Sequence, residues 1–261
     1  MHVTQELADK IISVAQLAGE IVLNVYERDF DVYAKADKSP LTAADLLSHE
    51  AIVKGLAQIT PDIPVLSEES SNEETLDRMA WKTYWLIDPL DGTKEFVKRN
   101  GEFTVNIALV HNHVPIFGVV DAPALKCTYW GGKDLNAHKI QDGKSISIKT
   151  RTRPKDSALV KIVGSRSHQS DEFKDFVVNY PDAEIITMGS SLKLCLVAEG
   201  VADLYPRLGP TSEWDTAASQ AIVEAAGGQV LRIPEITPLR CNENVSSLLN
   251  PRFLVCGDDF K

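Results

Sequence analysis

The sequence predicts a layered α/β protein, and three observations carry that reading. The chain has 261 residues, enough for a sizeable core and for one large or two modest domains. It opens on two stretches with apolar residues at helical spacing, then turns to short apolar runs of strand length. Beyond residue 158, strand-length and helix-length patterns alternate, as they do where helices are layered on a sheet.

In residues 4–28, Leu7, Ile11, Ile12, Val14, Ala15, Ala18, Ile21, Val22 and Val25 fall at helical spacing, which predicts a first amphipathic helix. Thr42 precedes a second such pattern that runs through Leu46, Leu47, Ile52, Val53 and Leu56, so a second helix with Thr42 as its N-cap is expected. Residues 64–69 read as a short buried strand ending in acids. Residues 85–88 form the next strand, which Pro89 is expected to stop. Gly92-Thr93 then opens a short helix. Residues 103–111 and 115–121 predict a hairpin around His111-Asn112-His113, residues 127–130 a further strand, and residues 146–149 another after a glycine turn. The polar segment 151–157 carries a proline and no periodicity. It marks the expected boundary between an N-terminal α+β domain, 1–150, and a C-terminal α/β domain, 151–261. The second domain alternates strand 159–163, helix 170–179, strand 184–187, helix 190–199, strand 201–206, helix 215–226 and strand 228–232.

The formal net charge is −10, which argues against nonspecific nucleic-acid binding. An anionic substrate would need a local positive site, and bound metal ions could supply it. Cys127, Cys195, Cys241 and Cys256 are scattered, without CxxC or zinc spacing, and read as reduced thiols of a cytosolic protein. The N-terminus lacks a basic region followed by an apolar stretch, and no apolar run approaches the roughly 20 residues of a membrane helix.

The chemistry concentrates in Trp85-Leu86-Ile87-Asp88-Pro89-Leu90-Asp91-Gly92-Thr93. Asp88 and Asp91 sit three residues apart where a buried strand ends. Such a pair repels itself unless a cation holds it, and a hard cation with oxygen ligands suits it best. The N–H groups of Gly92 and Thr93 suit a phosphate. Metal and phosphate sites side by side imply metal-assisted phosphoryl chemistry. Glu68 and Glu69, alone, read as a wet strand end; beside Asp88 and Asp91 they read as ligands. Asp215 reads either as an ordinary N-cap or, next to Trp214, as a buried ligand. Asp45 sits among Ala43, Ala44 and Leu46, and that pattern leaves its orientation open. Ser165-Arg166-Ser167-His168 offers donors and a cation at a strand-to-helix loop, or simply caps the helix. Lys193 and Arg207 are basic residues in apolar segments, where such side chains can equally reach out to the surface.

Assembled, these residues resemble the inositol monophosphatase superfamily of lithium-sensitive, magnesium-dependent phosphatases. The resemblance rests on the 85–93 motif, on Trp214-Asp215-Thr216-Ala217-Ala218, on Ser67-Glu68-Glu69 and on Ser39-Pro40-Leu41-Thr42-Ala43-Ala44-Asp45. Within it, the chain looks most like the CysQ-type 3′(2′),5′-bisphosphate nucleotidases. Residues 163–168, Gly189-Ser190-Ser191-Leu192-Lys193 and residues 205–215 carry that narrower likeness. The resemblance implies an αβαβα sandwich and hydrolysis of adenosine 3′,5′-bisphosphate to AMP and phosphate in sulfur metabolism, with 3′-phosphoadenylyl sulfate as a further substrate. It implies two to three Mg²⁺ ions. Glu68, Asp88 and the Leu90 carbonyl would hold one; Asp88, Asp91 and Asp215 would hold another, with a weaker third near Glu68. By the same resemblance, Asp45 and Thr93 orient the attacking water, and Gly92, Thr93 and Asp215 contact the reacting end of the substrate. Ser165, Arg166, His168, Ser190, Lys193 and Arg207 are the candidates for reading the rest of it, including the second phosphate. Some family members work at the cytoplasmic face of the inner membrane, and a monomer and a homodimer are both open. The competing readings are a phosphatase of inositol phosphate or fructose 1,6-bisphosphate and a nucleotide sensor without catalysis. The intact Glu68, Asp88, Asp91, Thr93 and Asp215 argue against the sensor.

Overall fold

A computed structural model of the chain describes residues 1–28, 40–71, 75–152, 154, 159–166 and 170–257, with the side chains of residues 40–42 outside the description. Helix α1 spans Gln5–Tyr26. Thr4 caps it, its hydroxyl accepting from the Leu7 N–H, and Ala8, Ile11, Ile12, Ala15, Ala18 and Val22 form its buried stripe. Helix α2 spans Pro40–Ile59. It begins two residues before Thr42, so Thr42 lies inside it rather than capping it. A proline at the first helical position has no N–H to leave unpaired and its φ suits the helix, which explains the earlier start.

Next comes a seven-stranded sheet in sequence order: β1 (Val65–Ser67), β2 (Thr83–Asp91), β3 (Thr104–His111), β4 (Val114–Ala122), β5 (Cys127–Gly132), β6 (Leu135–Gln141) and β7 (Lys144–Ser147). β1 runs parallel to β2; every later pairing is antiparallel. Pro89 does not end β2. The strand continues to Asp91, with its register against β3 broken between Asp88 and Asp91. A bulge leaves a residue out of the hydrogen-bonded ladder, so a proline costs no ladder bond there. The short helix α3, Thr93–Val97, follows directly.

All strands of this sheet precede the polar segment 151–157, and all strands of a second sheet follow it; residues 153 and 155–158 lie outside the described residues. The second sheet contains β8 (Lys161–Ser165), β9 (Glu184–Met188), β10 (Leu204–Arg207), β11 (Gly228–Arg232), β12 (Thr237–Pro238) and β13 (Phe253–Gly257), in the order β12-β11-β13-β10-β8-β9. Among them run α4 (Asp171–Val177), α5 (Leu192–Ala198) and α6 (Ala217–Ala225).

Three apolar clusters separate five layers. The first joins α1 and α2 to one face of the seven-stranded sheet through Ile11, Val22, Trp85, Ile107 and Phe117. The second fills the space between the sheets around α5 and α6, through Leu86, Val120, Val197, Ile222 and Val255. The third packs Phe173 of α4 on Ile162, Leu204 and Leu254 of the outer sheet face. The architecture is therefore the expected αβαβα sandwich. α6 crosses β4 closely because Gly118 has no side chain: a Cβ there would lie 2.0 Å from the Ala218 carbonyl oxygen.

Candidate active site

The site forms where β1 and β2 end together. Their parallel register aligns Ser67 with Ile87, and the Glu68 N–H donates to the Ile87 carbonyl, so Glu68 lies beside Asp88. Asp88 is buried. One carboxylate oxygen accepts from the Leu90 N–H at 3.0 Å; the other is buried with no hydrogen-bond partner. The bulge carries buried Leu90 and re-aims Asp91, whose Oδ2 accepts from the Ser191 N–H at 2.5 Å. Asp215 comes from the turn before α6. Its Oδ2 accepts from the Thr211 hydroxyl at 2.5 Å and the Ser212 N–H at 2.9 Å, both upstream. Thr216, not Asp215, is the residue next to the helix, so the ordinary N-cap alternative does not hold. One oxygen each of Asp88, Asp91 and Asp215 falls within 4.8 Å of the others.

α2 supplies Asp45. The helix is tied to the sheet by the Ser48 hydroxyl donating to the Pro89 carbonyl at 2.8 Å and by His49 Nδ1 against the Ser67 hydroxyl at 2.9 Å. These ties turn Asp45 toward Glu68 and Glu69, and its Oδ1 is buried without a partner. The orientation that the local sequence leaves open is thus inward.

The electrostatics are those of an anion cluster short of positive charge. Burial first, then Asp91, Asp215, Glu68 and Asp45, push the Asp88 carboxyl well above its ordinary range. Burial and Asp215 raise Asp91 to about 7 against the pull of Lys193, the Ser191 N–H and Asn106. Burial, Asp215 and Glu69 raise Glu68 to about 7, although part of its side chain stays open to solvent. Burial, Glu69 and Glu68 raise Asp45 to about 7. Clustered carboxylates with orphaned oxygens and no soft donors fit a hard divalent cation.

A cavity of about 330 Å³ opens against the cluster, lined by Asp91, Gly92, Thr93, Ser190, Lys193, Arg207 and Asp215 among others. Gly92 sits at the mouth of α3 with φ 88°, and a Cβ there would crowd the Glu102 carbonyl and Ser190. Lys193 is buried rather than reaching to the surface. Its Nζ donates to the Ser190 carbonyl at 2.5 Å and lies 5.8 Å from the Tyr205 ring centre. Burial pushes the Lys193 ammonium below its ordinary pKa, with Asp91 pulling it back. Arg207 donates to the Pro210 carbonyl, and its Nε is buried without a partner. A second, mostly apolar hollow of about 230 Å³ shares Ser165, Tyr205 and Arg207 with the first and is walled by Phe173, Pro206, Leu208 and Pro210.

Arg166 does not line either cavity; its guanidinium is paired with Glu102. His168, Ser167 and Ser39 lie outside the described residues. Ser191 and Thr211 fall within the quoted motifs but receive no role from the sequence, and they hold Asp91 and Asp215. Thr211 has a local signal, a hydroxyl four residues before the acid. Ser191 has none, because it meets Asp91 across 100 residues of chain.

Residues 4–250 match the inositol monophosphatase family. The chain is 45% identical over 255 residues to the 3′(2′),5′-bisphosphate nucleotidase CysQ of Salmonella typhimurium, covering 95% of this chain and 99% of that protein. It is 47% identical over 226 residues to the protein of the same name from Escherichia coli K12, covering 86% and 89%. The crystal structure of CysQ from Bacteroides thetaiotaomicron, described as a bacterial member of the inositol monophosphatase family, superposes with a TM-score of 0.87 at 42% identity, over 97% of this chain and 98% of that one. With strand-end carboxylates, layered sheets and sequence all agreeing over most of its length, the chain belongs to the inositol monophosphatase family.

Proposed function

We infer that the protein is a metal-dependent phosphomonoesterase, a 3′(2′),5′-bisphosphate nucleotidase that hydrolyses adenosine 3′,5′-bisphosphate to AMP and phosphate. The observation that carries this is the Asp88, Asp91, Asp215 cluster opening onto a cavity that Lys193 and Arg207 also line. The same cavity thus offers carboxylates for a cation and basic side chains for an anion. The high identity to CysQ nucleotidases over nearly the whole chain supports the same reading. We assign Mg²⁺, two to three ions, to the acidic end, held by Glu68, Asp88, the Leu90 carbonyl, Asp91 and Asp215. Mg²⁺ bound there would supply Lewis-acid charge neutralisation of the phosphoryl group.

The chain's own residues do the rest. To Asp45, whose carboxyl pKa is raised by burial and by its acidic neighbours Glu69 and Glu68, we assign the acceptance of a proton, through the Thr93 hydroxyl, from the attacking water. Gly92 and Thr93 line the cavity, and to their N–H groups at the start of α3 we assign the holding of phosphate oxygens. Lys193 and Arg207, with Ser190 and Ser165, grip the phosphate that is not cleaved. The apolar hollow beside Arg207 has room for the flat face of a nucleoside, which an inositol phosphate would leave empty. We assign the sulfated analogue, 3′-phosphoadenylyl sulfate, as a second substrate of the same pocket and the cytoplasm as the place of action. Segment 151–157 is assigned as the join between a metal-binding half, 1–150, and a substrate-reading half, 151–261.

The test is phosphate release from adenosine 3′,5′-bisphosphate with and without Mg²⁺, beside inositol 1-phosphate and fructose 1,6-bisphosphate. Mg²⁺-dependent release with clear preference for the bisphosphate nucleotide is expected. Preference for inositol 1-phosphate would overturn the substrate assignment, and tight nucleotide binding without release would favour a sensor.

A further inference from the structure

Glu102 stands just before β3, is buried, and makes three charge-assisted contacts at once. Its Oε2 accepts from Arg166 Nε at 2.7 Å and from the Gly189 N–H at 2.8 Å; its Oε1 meets Arg166 Nη2 at 2.6 Å. Arg166 follows β8, and its Nη2 also donates to the Thr187 carbonyl at 3.0 Å. The pair thus joins three separate parts of the chain at the loop after β9. That loop is tightly confined. A Cβ on Gly189 would lie 2.6 Å from the Glu95 side chain, and Ser190 holds a positive φ of 45°. Its next atoms reach the site directly: the Ser190 carbonyl accepts from Lys193, and the Ser191 N–H donates to Asp91.

We propose that Glu102 and Arg166 form a clamp that positions the 189–191 loop, and through it both Asp91 and Lys193, so that Arg166 is a positioning residue and not a ligand of the substrate phosphate. The proposal rests on the reading of this cavity as the phosphatase site. A bidentate guanidinium–carboxylate pair fixes orientation as well as distance. With Nε and Nη2 committed to Glu102, Arg166 could turn those two donors to a substrate only by leaving the buried Glu102 carboxylate without its cation.

The two roles predict opposite signs for Glu102. As a ligand, Arg166 would be freed by Glu102→Gln, and turnover of the bisphosphate would hold or improve. As a clamp, Glu102→Gln and Arg166→Ala should each lower kcat/KM by about tenfold to a hundredfold. The double variant should be no worse than the poorer single, because one unit is removed once. The loss should appear with both adenosine 3′,5′-bisphosphate and 3′-AMP, larger for the bisphosphate because Lys193 shifts with the loop, and the Mg²⁺ concentration for half activation should rise, since Asp91 loses its fixed donor. Arg166→Lys should recover part of the activity. A loss confined to the bisphosphate, or an unimpaired Glu102→Gln, would overturn the clamp. So would a lowered melting temperature with unchanged kcat/KM and Mg²⁺ requirement, which is what a mere staple predicts. Amide hydrogen exchange of residues 189–191 reads the clamp without any turnover: Glu102→Gln should speed it at least about tenfold, and unchanged exchange would reject the clamp. Wild-type protein that releases phosphate from neither nucleotide would sink the functional reading alone, and the exchange result would still decide the clamp.

Discussion

Asp88 is buried with one oxygen unpartnered and with acids on several sides, so the metal-free fold carries it at a cost. Asp88→Asn should therefore abolish phosphate release, by about 10²-fold or more, without lowering the melting temperature measured in EDTA, because the change relieves repulsion. Retention of a tenth of wild-type turnover would show that Asp88 is not central to the metal site. Thr93→Ala tests a different role. Thr93 lines the cavity without belonging to the acidic triad, so its loss should lower kcat far more than it raises the Mg²⁺ requirement; full rate recovered at high Mg²⁺ would make it a metal-site residue instead. At this scale the acids were legible because their spacing, Asp88 to Asp91 and the paired Glu68 and Glu69, is itself local in sequence. Lys193 and Arg166 were not separable. One is a cation in an apolar segment and the other in a polar loop, neither setting names a partner, and the partner is what divides them: cavity and Tyr205 for one, Glu102, 64 residues away, for the other.

Among the elements, strands and helices with strong periodicity were readable, and the failures have physical causes. β2 overruns its proline because a bulge removes the need for that N–H. β6 alternates poorly between buried and open positions, so no period of two marks it. β13 is buried along Phe253–Cys256 and sits between β10 and β11; a run buried on both faces carries no alternation to read. Nor does any local pattern announce that Gly118 must be bare. The α6 backbone lies against it, so Gly118→Ala must push the helix away from the sheet. Overpacking of this kind costs about 1–3 kcal/mol, and at ~2–4 °C per kcal/mol for a chain of this class the melting temperature should fall by ~2–12 °C. Gly209, with nothing within 4 Å of a built Cβ, is the control: Gly209→Ala should leave the melting temperature within about 1 °C. Equal shifts for the two would mean that the close crossing of α6 is not what Gly118 provides.

For the whole molecule, the layers are held against each other by apolar clusters, but one acid is buried between α1 and the first sheet. Asp121 of β4 accepts from the Thr128 hydroxyl at 2.7 Å, and its other oxygen lies over Gly19 of α1. Burial raises its carboxyl to about 7, partly opposed by the Thr128 hydrogen bond. An acid whose folded pKa lies above its unfolded value binds its proton more tightly in the folded state. It therefore favours the fold at low pH, and that contribution is lost as pH rises from about 4 through about 7. The loss is at most on the order of 4 kcal/mol at the standard conversion of pKa to free energy. Total stability cannot be used directly, because the active-site acids titrate in the same range. The difference between wild type and Asp121→Asn removes them, since both proteins share that cluster and the amide oxygen can still accept from Thr128. Urea unfolding in EDTA at pH 5 and pH 8 should give nearly equal midpoints at pH 5, where the wild-type carboxyl is mostly protonated. At pH 8 the variant should be the more stable of the two. A midpoint difference that stays constant between the two pH values would mean that Asp121 is ionised throughout and that its burial does not couple the packing of α1 to proton binding.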